Sequence, residues 1–185
     1  VQTCALPISV TLASPISDYS VDEDAGVSTV ADLDDVFDDI DLTNGDPSAL
    51  QTLSYSVVGN SNSDLATVSI DGDGVLTVSY TGDDNGSADI TVRADDSSGS
   101  TLDESFTVTV NAVNDLPILS AIGAQSTDED TDLTISLSAS DVDIATNGQS
   151  LSYSASSSDG SLVAVSVSGS SLSFDVQTDQ NGSTD

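Results

Sequence analysis

Along most of the chain, apolar residues alternate with Ser, Thr and Asp at a period of two. In "SFTVTVNAV", Phe106, Val108, Val110 and Ala112 share one face while Thr107 and Thr109 take the other. "ADITVRA" sets Ile90, Val92 and Ala94 on one side, and "VLTVSY" does the same with Leu76, Val78 and Tyr80. Gly, Asn and Asp clusters separate the runs, and no stretch sustains a helical period. The pattern predicts an all-β chain with a turn about every 8–12 residues, as in a β-sandwich. Strands are expected near 10–13, 27–33, 53–58, 65–70, 75–80, 88–94 and 105–113, then near 118–126, 133–139, 151–155, 162–167 and 171–177.

Phrases recur in order along the chain. "DED" stands at 22–24 and again at 128–130, "LSYS" at 53–56 and 151–154, and "NGS" at 85–87 and 181–183. Two tandem copies follow, 10–113 and 114–185, hinged at "NAVNDLP". The second copy stops where the first begins its sixth strand. It is therefore expected to lack its last two strands, and the chain reads as cut at both ends. Residues 1–9, "VQTCALPIS", break the pattern and hold the only cysteine, Cys4. They resemble translated adaptor sequence; the alternative is a linker tail, and Cys4 supports no redox inference.

Charge narrows the function further. The chain carries 32 acidic residues against one basic residue, Arg93, and no histidine, for a formal charge of -31. Such a field repels phosphate backbones and anionic lipid surfaces, which excludes nucleic acid and membrane surfaces as partners. No run is long enough to span a bilayer. Without His or Lys, most acid–base and nucleophilic chemistry has no agent, and no enzyme is expected. A glycosidase working with two carboxylates is disfavoured because few aromatics could form a sugar platform. Oxygen ligands are abundant, and oxygen suits calcium or magnesium.

Beside this reading stands a resemblance. "LSASDVDIATNGQSLSYS" resembles the cadherin repeat, in which a strand ends in Ala-x-Asp-x-Asp, crosses a Gly/Asn loop and resumes as Tyr-Ser. "VRADDSSGS", followed by "SFTVTVNAVND", resembles the cadherin Ala-x-Asp turn, final strand and Asn-Asp linker. The combination is most similar to the bacterial cadherin-like repeats of large surface adhesins, over residues 14 to 185. The resemblance implies two immunoglobulin-like sandwiches, the second truncated, with calcium bound between successive repeats. Calcium takes six to eight oxygens, more than one turn supplies.

Carried over by position, the interdomain ligands would be Glu23 and Asp83 or Asp84, Asn114 and Asp115 of the linker, and Asp141, Asp143 and the loop residue Asn147. Asp39, Asp41 and Asp96 would face a preceding repeat, and Glu129 a following one. Leu116 stands where cadherins place another Asn, and the first copy departs from the pattern in its long acidic loop. The implied function is an extracellular or cell-surface stalk whose partners are neighbouring repeats, other cell-surface proteins or polysaccharides. The alternative is a non-catalytic accessory module of a large secreted enzyme such as a polysaccharide hydrolase. Each motif also has a plainer reading, since Asp and Asn favour turns and an acidic face solubilises. "DGDG" at 71–74 reads as a hairpin turn, and both "NGS" sequons as turns.

Overall fold

The computed structural model describes residues 9–39, 52–97 and 99–185, with the side chains of residues 146 and 147 excepted. The chain is all-β and falls into two compact units, Val1–Val113 and Asn114–Asp185. Cys4, Asp41 and all of the expected tail but Ser9 lie outside the described residues.

Unit 1 holds β1 (Thr11–Leu12), β2 (Tyr19–Asp22), β3 (Ser28–Asp32), the single helical turn α1 (Leu33–Val36), β4 (Phe37–Asp38), β5 (Ser54–Asn60), β6 (Ala66–Ile70), β7 (Val75–Tyr80), β8 (Gly86–Asp95) and β9 (Thr101–Asn111). One sheet runs β2-β9-β8-β5 and the other β3-β7-β6, with β1 and β4 paired separately. The inward residues are those the alternation assigned. Ala88, Ile90, Val92 and Ala94 of β8 join Phe106 and Val108 of β9, and across from them lie Leu76 and Val78 of β7. Complete burial of a Val, Leu, Ile or Phe side chain is worth about 1.5–3 kcal/mol, and this shared core makes unit 1 an immunoglobulin-like sandwich. Helix α1 begins where Asp32 accepts the Asp34 N–H at 3.1 Å, and it drives Leu33 and Val36 into the core.

Unit 1 differs from expectation at β2, at α1 and at β4, a two-residue strand that the alternation did not mark. Strand β2 was not anticipated; it runs parallel to β9, from Tyr19 opposite Val108 to Asp22 opposite Asn111. The run expected over 27–33 ends in α1, because Asp32 caps a helical turn there.

Unit 2 holds β10 (Ile118–Leu119), β11 (Leu133–Ser136), β12 (Ala139–Ser140), the short helix α2 (Asp143–Asn147), β13 (Val163–Ser168) and β14 (Ser171–Val176). Its sheet β11-β14-β13 repeats the order β3-β7-β6, and the pair β10-β12 repeats β1-β4. No counterpart of the four-stranded sheet occurs among the described residues of unit 2. The strand expected at 151–155 is therefore absent: its twin, β5, is an edge strand bonded to β8 alone. Burial follows suit. Leu76 and Val78 are fully buried in unit 1, whereas among the described apolar residues of unit 2 only Leu137 and Leu172 are buried, and Val163 and Val165 stay half-buried.

Candidate cation-binding ends of the units

The strands of unit 1 carry two groups of its acidic residues to opposite ends. Where β2 leaves β9, the Glu23 N–H donates to the Asn111 carbonyl at 2.9 Å. The Glu23 side chain turns back so that Oε1 accepts the Val113 N–H, and the residue is 5% exposed. The next residue, Asp24, has a left-handed backbone with φ 62°, and its Oδ1 accepts the N–H of Asp83 at 3.2 Å. Asp83, in the turn from β7 to β8, is also left-handed, with φ 58°. Asp and Asn tolerate this region because their short polar side chains bond locally. A β-carbon on Gly82 would stand 3.2 Å from Asp24 Oδ1, so glycine there lets the turn approach. Carboxylate oxygens of Asp24 and Asp83 lie within 4.8 Å of each other. Asp84 is exposed.

Asp39 and Asp96 occupy the other end of the sandwich, and both are fully buried. Asp96 closes the turn between β8 and β9: its N–H donates to the Ser100 carbonyl at 3.1 Å, and its Oδ1 accepts the Ser100 N–H at 3.0 Å. Ser100 Oγ in turn accepts the Val10 N–H at 3.3 Å, just before β1. Asp39 directly follows β4, the partner of β1. The register places the two buried acids at the same end, about the length of β9 from Glu23.

In unit 2, Asn114, Asp115, Asp141 and Asp143 come together. Asp143 opens α2 and is 2% exposed. Its Oδ2 accepts the Asp115 N–H at 2.7 Å, while its own N–H donates to Asp141 Oδ1 at 3.0 Å. Carboxylate oxygens of Asp115 and Asp143 lie within 4.8 Å. Gln149, unmarked by the sequence motifs, donates from Nε2 to Asn114 Oδ1 at 3.0 Å. Asn147, expected in a loop, ends α2, because Gly148 supplies a left-handed C-cap with φ 67°.

The other end of unit 2 repeats the device of unit 1. Asp130 (φ 58°) accepts the N–H of Asp179 (φ 54°) at 3.1 Å, and Glu129 beside it is exposed. Sequence reasoning singled out the Glu of each "DED" and passed over the Asp that follows it. Its signal was available in the recurrence of all three acids at 22–24 and 128–130.

These donors are oxygens, several held in place by backbone N–H groups, as outer-shell bonds orient metal ligands. Such a set suits a hard cation of calcium type and contains none of the imidazole or sulfur ligands that zinc and copper favour. The residues present fit calcium.

No family model and no curated protein sequence matches this chain. Among solved structures it is similar to the first four extracellular cadherin domains of protocadherin gamma B7, at 16% identity and TM-score 0.45, over 92% of this chain and 41% of that one. It is also similar to the human desmocollin-1 ectodomain, at 12% identity and TM-score 0.42, over 92% and 34%. A third likeness is to the endo-fucoidan hydrolase MfFcnA4 of glycoside hydrolase family 107, at 12% identity and TM-score 0.41, over 92% and 24%. The chain spans less than half the length of each of these structures.

Proposed function

We propose that the chain is a pair of calcium-binding, cadherin-like repeats from the extended stalk of an extracellular or surface-anchored adhesin. In this reading it is a non-catalytic spacer whose direct partners are neighbouring repeats, and adhesion to cell-surface proteins or polysaccharides belongs to other parts of the parent protein. Repeats of this kind contact only their neighbours, so rigidity must be supplied unit by unit. Among the described residues no helix is long and apolar enough to cross a membrane.

The observation that carries the proposal is Asp143. Its carboxylate is buried, fixed by the Asp115 N–H and set within 4.8 Å of the Asp115 carboxylate. Two like charges so close are unfavourable when ionised. Calcium would supply the neutralising charge. Asp115 and Asp143, with Asp141 and Asn114 beside them, would hold it in unit 2, and Glu23, Asp24 and Asp83 offer a separate acidic end in unit 1.

Calorimetric titration of the chain with calcium, against magnesium and a chelator, tests this. Extracellular modules bind calcium at about 10⁻⁴–10⁻³ M. A dissociation constant in that range, lost on Asp143→Ala, is the expected result. Absence of binding heat, together with thermal unfolding identical in calcium and chelator, refutes the proposal.

A further inference from the structure

In the four-stranded sheet of unit 1, the first strand in sequence, β2, lies parallel to the last, β9, from which the chain passes on to Asn114. Register pairs join them from Tyr19 opposite Val108 to Asp22 opposite Asn111. Side chains extend the contact beyond this ladder at both ends. Before β2, the Ile16 N–H donates to Glu104 Oε1 at 3.2 Å, and Asp18 Oδ1 accepts the Thr107 N–H at 2.7 Å. At its far end, Asp22 Oδ1 accepts from Asn111 Nδ2 at 3.2 Å. Glu23 follows, its N–H donating to the Asn111 carbonyl at 2.9 Å and its Oε1 accepting the Val113 N–H.

Tension acts on a parallel pair in a definite way. In repeats linked in series, load enters each unit from its N-terminal side and leaves from its C-terminal side. Here it reaches β2 at its first residue and leaves β9 at its last, so the two strands are drawn in opposite senses along a common axis. Every bond between them is strained at once, and the evenly spaced bonds of a parallel ladder share the force. Antiparallel terminal strands would instead be pulled apart from one end, a bond at a time. On its other side β9 is joined to β8 over a longer ladder, from Gly86 opposite Val110 to Asp95 opposite Thr101, so β2 is the partner that gives way. Strand β1, paired to β4 only at Thr11 and Leu12, peels away earlier and leaves the β2–β9 contact in place. We propose that β2 and β9, with the bonds of Asp18, Asp22, Glu23 and Glu104, form a shear clamp that sets the mechanical strength of unit 1.

The clamp rests on the stalk reading for its purpose and not for its strength, since each of its bonds joins two protein groups. Forced rupture reports the unfolding barrier and not equilibrium stability. One folded protein therefore yields at different forces when it is pulled in different directions.

Single-molecule pulling of the whole chain, in calcium and in chelator, tests this with two attachments. One handle is fixed at the N-terminus and the other on Val113→Cys or on Thr101→Cys, with Cys4→Ser removing the only native thiol. Traction to residue 113 shears β2 against β9. Traction to residue 101, the first of β9, loads the same pair from one end and unzips it. The rupture force to 113 should be several-fold the force to 101 in both solutions, and Asp18→Ala combined with Asp22→Ala should lower it. Asp103→Ala, which removes the exposed ion pair of Arg93 between β8 and β9, should leave it unchanged. Equal forces in the two directions, a lower force to 113, no effect of the Asp18 and Asp22 replacements, or an equal loss with Asp103→Ala would each overturn the clamp, whatever the calcium titration gives.

Discussion

Asp24 accepts the backbone N–H of Asp83 at 3.2 Å, and Asp130 accepts that of Asp179 at 3.1 Å in the same way. All four residues are left-handed. The bond ties the chain leaving β2 to the turn that opens β8, and so fixes the direction of the Asp83 backbone. It is exposed and repeated, which marks it as a device of the repeat rather than an accident of one loop.

Asp24→Ala removes the acceptor, and a hydrogen bond of this kind contributes about 0.5–1.5 kcal/mol net. Asp24→Asn keeps an acceptor oxygen and should lie close to the parent protein. Urea unfolding followed on the aromatic signal of unit 1 measures both. If alanine and asparagine cost the same, charge rather than the bond to Asp83 is what Asp24 provides.

Calcium at about a hundredfold excess over its dissociation constant should stabilise the bound state by roughly 2.7 kcal/mol per site. Asp143→Ala should remove the gain assigned to unit 2. Asp71→Ala provides the contrast. Asp71 Oδ1 accepts the N–H groups of Asp73 and Val75, both at 2.9 Å, so it caps a hairpin turn. Its loss should lower stability by about 1 kcal/mol and leave the calcium increment intact. Thermal unfolding of the three proteins with and without the ion separates these outcomes. Identical responses from the two variants would return the acidic motifs to turn chemistry.

Alternation made the core legible wherever a strand is flanked by partners on both sides. Ile90, Val92, Phe106 and Val108 could be named from their period alone, because only one register buries them all. The same reasoning fails at "LSYS". At 53–56 it enters β5, which is bonded to β8; at 151–154 the same four residues form no strand. Strand formation there depends on pairing and not on the residues themselves. Strand β2 was hidden for a related reason: four residues, with a parallel partner almost ninety positions away, carry little local signal. At the acidic ends, Glu23, Asp115, Asp141 and Asp143 stood out by motif. Asp24 and Gln149 did not, since their roles are bonds to residues distant in sequence.

Alkali should loosen unit 1 through Tyr55. Burial pushes its phenol up from the ordinary value, and the hydroxyl it donates to Asp34 Oδ1 at 2.6 Å adds to the shift. A raised folded-state pKa means that the contribution to stability is complete below about pH 10, the unfolded value, and is lost as pH rises beyond it. Tyr55→Phe removes this linkage, although Tyr19, raised by burial and its bond to Tyr80, remains. The expected result is a shallower alkaline limb in the stability–pH profile of Tyr55→Phe. A limb as steep as the parent's assigns the effect elsewhere.

Hydrogen exchange should divide the chain at Val113. In unit 1, β8 and β9 sit in the middle of a four-stranded sheet, bonded on both sides, and cover Leu76 and Val78 completely. Their amides should open only with the whole unit, at the slow limit of exchange. In unit 2, β11 and β13 flank β14 as edges, and the apolar face that includes Leu133, Ile135, Val163, Val165 and Phe174 remains half-buried. With fewer apolar contacts to break, these amides should exchange by local opening, at rates well above those of β8 and β9. A peptide spanning residues 86–111 supplies the kind of hairpin that covers the equivalent face in unit 1. If an uncovered face is the reason for weak protection, that peptide added in excess should slow exchange in β11, β13 and β14. Equal protection in the two units without the peptide would show that three strands suffice, and that the repeat does not depend on its second sheet.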